Sequence, residues 1–320
     1  MSTTVNPNPT SRTRRFLCGL TVAVAATGTG VLPTTAGAVT GGGPVISWGY
    51  DNKGQATVPT DLGPVVAVSG GESHSLALTS AGKVIAWGGN DQGQATVPKE
   101  ATSDITAISA GGRHSLALTK NGKVIAWGDN SFGQTNVPPE AAADITAISS
   151  GGFHSLALTK QGKVIGWGYD TSGQATVPKE ATSDITAISA GGRHSLALTK
   201  DGKVIAWGDN RFGQTTLPDR LPAVVAAIAA GGFHSLALSK DGVAVAWGSG
   251  KNEWSVPMFG SLKLTAVAAG WLHSAALGAD GRAYVWDDNT FGQRAVPDQA
   301  TSGVTAISAG SFHTLTVKGS

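Results

Sequence analysis

Between Asp104 and Pro138 the apolar positions come in short bursts, and within each burst they alternate with small or polar residues. An alternation of period two over five or six residues is the pattern of a half-buried β-strand. It predicts strand A over Ile105 to Ser109, strand B over His114 to Thr119, strand C over Lys123 to Trp127 and a short strand D after Gly133-Gln134. Gly111-Gly112 separates A from B. Asn121-Gly122 separates B from C, where the pair is expected to supply the positive φ angles of a tight hairpin. Asp201-Gly202, Asp241-Gly242 and Asp280-Gly281 repeat that turn signal.

The whole unit repeats. An apolar-Trp element recurs at Trp48, Trp87, Trp127, Trp167, Trp207, Trp247 and Trp286, and histidines recur in phase at His74, His114, His154, His194, His234, His273 and His313. A fixed period of about 40 residues carrying four short antiparallel strands is the blade of a β-propeller. The fold class expected is therefore all-β, a seven-bladed β-propeller. The first of these elements is a strand C (Val45 to Trp48) and the last a strand B (His313 to Val317), so each end holds part of one blade. Pairing the N- and C-terminal strands would close the ring and remove two exposed sheet edges. Each repeated tryptophan is then expected to anchor one blade against the next.

Composition agrees with this reading. With 41% hydrophobic and 14% charged residues, the 320-residue chain can bury a large core. Its 45 glycines and 14 prolines fall at turn positions without a Gly-X-Y period. The first 38 residues differ: Arg12, Arg14 and Arg15 precede an apolar run from Phe16 to Ala26, and Ala36-Gly37-Ala38 follows. This is the layout of a secretory signal peptide, and Arg14-Arg15-Phe16-Leu17 resembles a twin-arginine export signal. The expected organisation is a signal over residues 1–38 and a propeller over 39–320, secreted and with no membrane insertion after cleavage. Cys18 would leave with the signal, so the mature chain would hold no disulfide, thiolate metal site or cysteine nucleophile. Without the three signal arginines, 20 basic residues face 21 acidic ones. That balance, with no basic block, argues against nucleic acid as a partner.

The repeat reads Gly-Gly-x-His-Ser-Leu-Ala-Leu followed by apolar-Ala-Trp-Gly-x-Asn-x-x-Gly-Gln, as in Gly191 to Leu198 and Ala206 to Gln214. In these residues the chain resembles the regulator of chromosome condensation repeat family over residues 44 to 317. Trp286 followed by Asp287, and Ser249 to Val256 without the Asn-x-x-Gly-Gln ending, depart from the pattern, so those blades should have irregular loops. Within the family the resemblance is nearest to secreted propeller-type β-lactamase inhibitor proteins, through the short repeat, the signal, the Gly213 to Pro218 linker and the ending soon after the last strand B. It implies an inhibitor that binds another protein, a β-lactamase or a penicillin-binding protein; a monomer is expected. A cell-wall or extracellular-matrix binding module is the alternative. Guanine nucleotide exchange, known in nuclear members, does not suit a secreted chain.

Residue chemistry points away from catalysis, cofactors and metals. His114, Leu116 and Leu118 share one parity of strand B, which predicts a packed, hydrogen-bonded histidine, and seven rings spread around an axis lack the close spacing of zinc ligands. Neighbouring residues such as His114 and Ser115 point to opposite faces of their strand, so they cannot act as base and nucleophile within a pair. Asp129-Asn130 and Asp209-Asn210 lack the alternating oxygen ligands and terminal Glu of a calcium loop and suit turn stabilisation instead.

The aromatic residues outside the core pattern mark a candidate site. In an antiparallel blade the A–B turns and C–D loops lie at one end. Phe153, Phe233 and Phe312 precede the histidine of strand B, and Phe132, Phe212 and Phe291 lie in C–D loops. Tyr50, Tyr169, Trp254 and Trp271 fall at the same end with Arg113, Arg193 and Arg211, while the other end carries mainly Lys, Glu, Pro and Gly. Aromatic and Arg enrichment is the composition of a protein interface. A cap on each blade would require one residue type throughout, whereas the position before His reads Ser73, Arg113, Phe153, Arg193, Phe233, Leu272 and Phe312. The proposed partner-binding residues are Tyr50, Arg113, Phe132, Phe153, Tyr169, Arg193, Phe212, Phe233, Trp254, Trp271, Phe291 and Phe312.

Overall fold

A computed structural model describes residues 42–249, 256–257 and 259–319. The expected signal segment and Trp254 lie outside them. After β1 (Val45–Gly49) the chain builds blade 1 from β2 (Val65–Gly70), β3 (His74–Thr79) and β4 (Val84–Gly88), and blade 2 from β5 (Ile105–Ala110), β6 (His114–Thr119) and β7 (Val124–Gly128). Blade 3 holds β8 (Ile145–Ser150), β9 (His154–Thr159) and β10 (Val164–Gly168); blade 4 holds β11 (Ile185–Ala190), β12 (His194–Thr199) and β13 (Val204–Gly208). Blade 5 holds β14 (Val225–Ala230), β15 (His234–Ser239) and β16 (Ala244–Gly248); blade 6 holds β17 (Leu264–Ala269), β18 (His273–Gly278) and β19 (Ala283–Asp287). The last strands, β20 (Val304–Ala309) and β21 (His313–Lys318), pair with β1 to form blade 7 in the order β1-β21-β20. The ring is thus closed by both ends of the chain, with Val45 opposite Val317 and Gly49 opposite His313.

Each sheet has three strands, which corrects the expectation of four. The segment assigned to strand D runs as turns into a proline, at Pro98, Pro138, Pro178 and Pro297, and then into a 3₁₀ turn whose Ala101, Ala141, Ala181 or Ala300 is buried. Proline has no N–H to give to a ladder, so the segment lies along the blade without extending its hydrogen bonding.

The B–C hairpin also differs in detail. Gly122 has φ 74° and its N–H donates to Thr119 O at 2.9 Å, while Thr119 N–H donates to Lys123 O at 2.9 Å. This is a type I turn centred on Lys120-Asn121, followed by a bulge glycine. Only the glycine needs positive φ, so Asn121 is not conformationally special.

The core lies between the blades. Trp127 of blade 2 packs with Leu78 and Val84 of blade 1 and with Ile105 and Ile108 of its own blade; Trp167 packs in the same way on Leu116, Leu118 and Val124 of blade 2. The indole N–H of each reaches back to the loop of the preceding blade, Trp127 Nε1 to Gln94 O and Trp167 Nε1 to Gln134 O, both at 2.9 Å. The anchoring role expected of the tryptophans is therefore direct, by packing and, for Trp48, Trp87, Trp127, Trp167, Trp207 and Trp247, by hydrogen bond; Trp286 anchors by packing.

Candidate binding face

The A–B turn fixes the base of the face. In every blade a glycine N–H donates to the histidine carbonyl three residues on, as Gly111 to His114 at 2.8 Å. A Cβ on Gly111 would lie 2.4 Å from the His114 ring and 2.7 Å from Gly151 O, so the imidazole occupies the space that only glycine leaves. Every histidine is buried. Its Nε2 meets the serine or threonine hydroxyl of the next blade: His74 with Ser115, His114 with Ser155, His154 with Ser195, His194 with Ser235, His234 with Ser274, His273 with Thr314 and His313 with Ser75, at 2.9 to 3.2 Å. The ring of contacts closes on itself.

Ser115 Oγ donates to Gln94 O at 2.9 Å, the carbonyl that also accepts Trp127 Nε1. With its proton so used, Ser115 can only accept, and His74 must carry its proton on Nε2. Burial holds the histidines neutral: His74, His154, His234 and His313 are pushed down to about 3 and His114, His194 and His273 to about 4, with neighbouring histidines adding to the shift in the first group. A His and a Ser within one blade do not meet, as expected. What sequence parity could not supply is that each histidine finds the serine of the neighbouring blade.

A second closed ring lies next to the axis. The residue after the glycine that recurs in each A–B turn donates its N–H across each blade junction: Glu72 to Gly111 O, Gly112 to Gly151 O, Gly152 to Gly191 O, Gly192 to Gly231 O, Gly232 to Gly270 O, Trp271 to Ser311 O and Ser311 to Gly71 O, at 2.9 to 3.3 Å. Loops on this end are held by side chains of their own. Asn130 Oδ1 accepts Thr135 N–H at 3.1 Å, and Gln134 Oε1 accepts Phe132 N–H at 2.9 Å. The first is the turn-stabilising role expected of Asn130, and the structure adds the same role for Gln134. In blade 6, Asp287 takes the position of the usual glycine with φ 72°, and its carboxylate accepts the Ser274 hydroxyl at 2.7 Å.

On this base the aromatic residues gather into three groups. Phe132 lies 5.4 Å from Phe153 and 4.7 Å from Tyr169 between ring centroids. Phe233 lies 4.9 Å from Phe212 and 4.8 Å from Trp271. Phe291 lies 4.3 Å from Tyr50 and 5.2 Å from Phe312. Most of these pairs meet edge to face, the arrangement the ring quadrupole favours. In each group the C–D loop phenylalanine stands proud, with Phe132 44%, Phe212 38% and Phe291 38% exposed, while its partners are half-buried. The three junctions involved join blades 2 and 3, 4 and 5, and 6 and 7, because the phenylalanines recur at twice the blade period. Of the proposed site residues, nine are thus brought together in triads, and Arg193 joins one of them with Cζ 5.5 Å from the Tyr169 centroid.

Arg113 does not join a triad. Its Nε lies 3.3 Å from Glu72 Oε2, a carboxylate that is almost wholly buried. Burial pushes Glu72 up to about 7 against the pull of Arg113. Sequence reading missed Glu72, although a signal was present: it stands where blades 2 to 5 have glycine. Arg211 pairs with Asp209 of its own loop at 2.7 Å.

A family model for the regulator of chromosome condensation (RCC1) repeat matches residues 65–94, 105–134, 145–174, 185–214, 225–253 and 264–293. Among curated protein sequences none matches the chain. Solved structures similar to it include Prp20p from Saccharomyces cerevisiae, described with its binding properties to Gsp1p and histones, at 22% identity over 93% of each chain and a TM-score of 0.72. Human WBSCR16 is 19% identical, with 86% of this chain and 98% of that one covered and a TM-score of 0.68. The CRINKLY WD40 ectodomain of the Arabidopsis thaliana receptor kinase ACR4 is 23% identical, covering 76% of this chain and 88% of that one with a TM-score of 0.59. At these identities the likeness concerns the fold.

Proposed function

Because the chain belongs to the regulator of chromosome condensation (RCC1) repeat family, we propose that it is a secreted protein-binding propeller without catalytic activity, acting as an inhibitor of a β-lactamase or a penicillin-binding protein. The observation that carries this reading is the set of three aromatic triads on one end of the ring. Their outer phenylalanines are exposed while the side chains beneath them are tied into the fold. An aromatic surface on a rigid base gives up little conformational entropy on binding, which suits a tight contact with another protein. Prp20p, of the same architecture, is described as binding proteins. Placing the partner among β-lactam-targeted enzymes rests on the resemblance to secreted inhibitor propellers and on the signal-like residues 1–38.

The test is an inhibition and binding titration against a panel of β-lactamases and penicillin-binding proteins, with insoluble peptidoglycan as a further arm. Nanomolar or tighter binding to a panel enzyme, weakened by about 1 to 4 kcal/mol in Phe132→Ala, Phe212→Ala or Phe291→Ala, is the expected result. Binding to peptidoglycan without effect on any enzyme would replace the inhibitor reading by that of a cell-wall module.

A further inference from the structure

Two of the triads are one device built twice. In the first, Tyr169 lies 4.7 Å from Phe132 and 6.2 Å from Phe153; in the second, Tyr50 lies 4.3 Å from Phe291 and 6.2 Å from Phe312. Tyr169 N–H donates to Phe153 O at 2.8 Å, and Tyr50 N–H to Phe312 O at 2.9 Å. The residues that follow, Asp170 and Asp51, hold their loops in the same way, with a carboxylate oxygen accepting the N–H of Ala175 or Ala56 at 2.7 Å.

The neighbouring blade is where they part. Beside Tyr169 the next blade supplies Arg193, whose guanidinium lies over the tyrosine ring. Beside Tyr50 the next blade is blade 1, where the residue before the histidine is Ser73, and Glu72 stands in the place of Gly192. All three rings are kept while the positive side chain over the tyrosine is lost. Among the described residues no cation lies over Tyr50.

We propose that the triad of Tyr50, Phe291 and Phe312 receives an arginine side chain from a protein partner, in the position that Arg193 fills within the chain beside Tyr169. This rests on the reading of the ringed end as a protein-binding face. Aromatic faces are negative and attract a cation, and a planar guanidinium stacks on a ring where an ammonium cannot. The residue before Ser73, Glu72, pairs instead with Arg113 of blade 2 at 3.3 Å. Arg113 in turn has no tyrosine to cover, since blade 1 has Gly89 at the corresponding loop position.

The experiment follows the Tyr50 ring by NMR while the protein is titrated with Nα-acetyl-arginine methylamide, and with the citrulline analogue, which has the same shape and no charge. Tyr50 resonances should respond to the arginine probe about two- to fivefold more strongly than to the citrulline probe, as expected for an exposed cation–π contact. Ser73→Arg should place a guanidinium over Tyr50 from within the chain and abolish the response. Blades 2 and 4 carry Arg113 and Arg193 at that position, so the variant should keep the melting temperature of the parent. Equal responses to the two probes, or an undiminished response in a folded Ser73→Arg protein, would overturn the proposal. With a partner from the enzyme panel in hand, Ser73→Arg and Tyr50→Leu should both weaken the complex. If Phe132→Ala weakens it and these two do not, the arginine site fails and the binding face stands. If substitutions in all three triads are silent, the face itself fails.

Discussion

At the scale of the residue, the Gly-x-x-His-Ser unit is set by space and by proton count. Gly111→Ala would drive a methyl group against both the His114 ring and a carbonyl of the next blade. It should destabilise the protein by about 1 to 3 kcal/mol, as overpacking does, when measured by urea unfolding. The aromatic residues divide by exposure. Phe132→Ala should leave stability within about 0.5 kcal/mol, as for an ordinary surface position, whereas Trp127→Ala should cost about 3 to 5 kcal/mol, as truncation of a core aromatic does. Phe153 is half-buried beneath Phe132, so its truncation falls between these limits and Phe132 is the cleaner probe of binding. If Phe132→Ala were as destabilising as Trp127→Ala, the triads would be blade caps.

At the scale of the element, the B–C hairpin puts its demand on one residue. Gly122→Ala must hold an L-residue at φ 74° with its Cβ 3.0 Å from Ile145 N at the start of β8. A loss of about 1 to 2 kcal/mol in a thermal or urea melt is expected from the backbone alone. Asn121→Asp should be silent, since Asp201, Asp241 and Asp280 occupy the same turn position in other blades. Equal effects of the two substitutions would contradict the type I turn with its bulge.

For the whole molecule, ring closure and the histidine ring make stability a collective property. Removing Thr305 to Ser320 takes away β21 and most of β20, together with the His273–Thr314 and His313–Ser75 links. Unfolding should then lose its cooperativity, while removal of Met1 to Ala38 should leave the melt unchanged. Acid should act through the seven histidines. Their folded values lie at about 3 to 4 against an ordinary value near 6.5, so between those limits the unfolded chain binds more protons. The stability they confer is present above about pH 6.5 and is lost as pH falls toward 4, by up to about 1.4 kcal/mol per pH unit for each histidine. Glu72 has the opposite sign, losing its contribution as pH rises through about 7, but it is one group against seven. A steep fall in the urea midpoint between pH 6.5 and 4.5 is expected; a flat profile there would mean that the histidines are not buried in the neutral form.

Strand positions, blade number, tryptophan anchors and the pairing of the two chain ends follow from the sequence alone, because alternation, turn residues and a 40-residue period are local or simply repetitive signals. Two features of the fold were decided by tertiary structure. The segment after Gly133-Gln134 has the look of a strand, yet the following Pro138 and the seat of Ala141 against the blade keep it out of the ladder. Parity places His114 and Ser115 on opposite faces of β6, but only blade stacking brings His114 to Ser155, 41 residues away. The same holds for the site: the sequence places Tyr50, Phe291 and Phe312 at one end of the ring, but residues so far apart become a triad only when β1 joins β21. What lies opposite a side chain depends on how blades stack, and that is a property of the closed ring rather than of any stretch of chain.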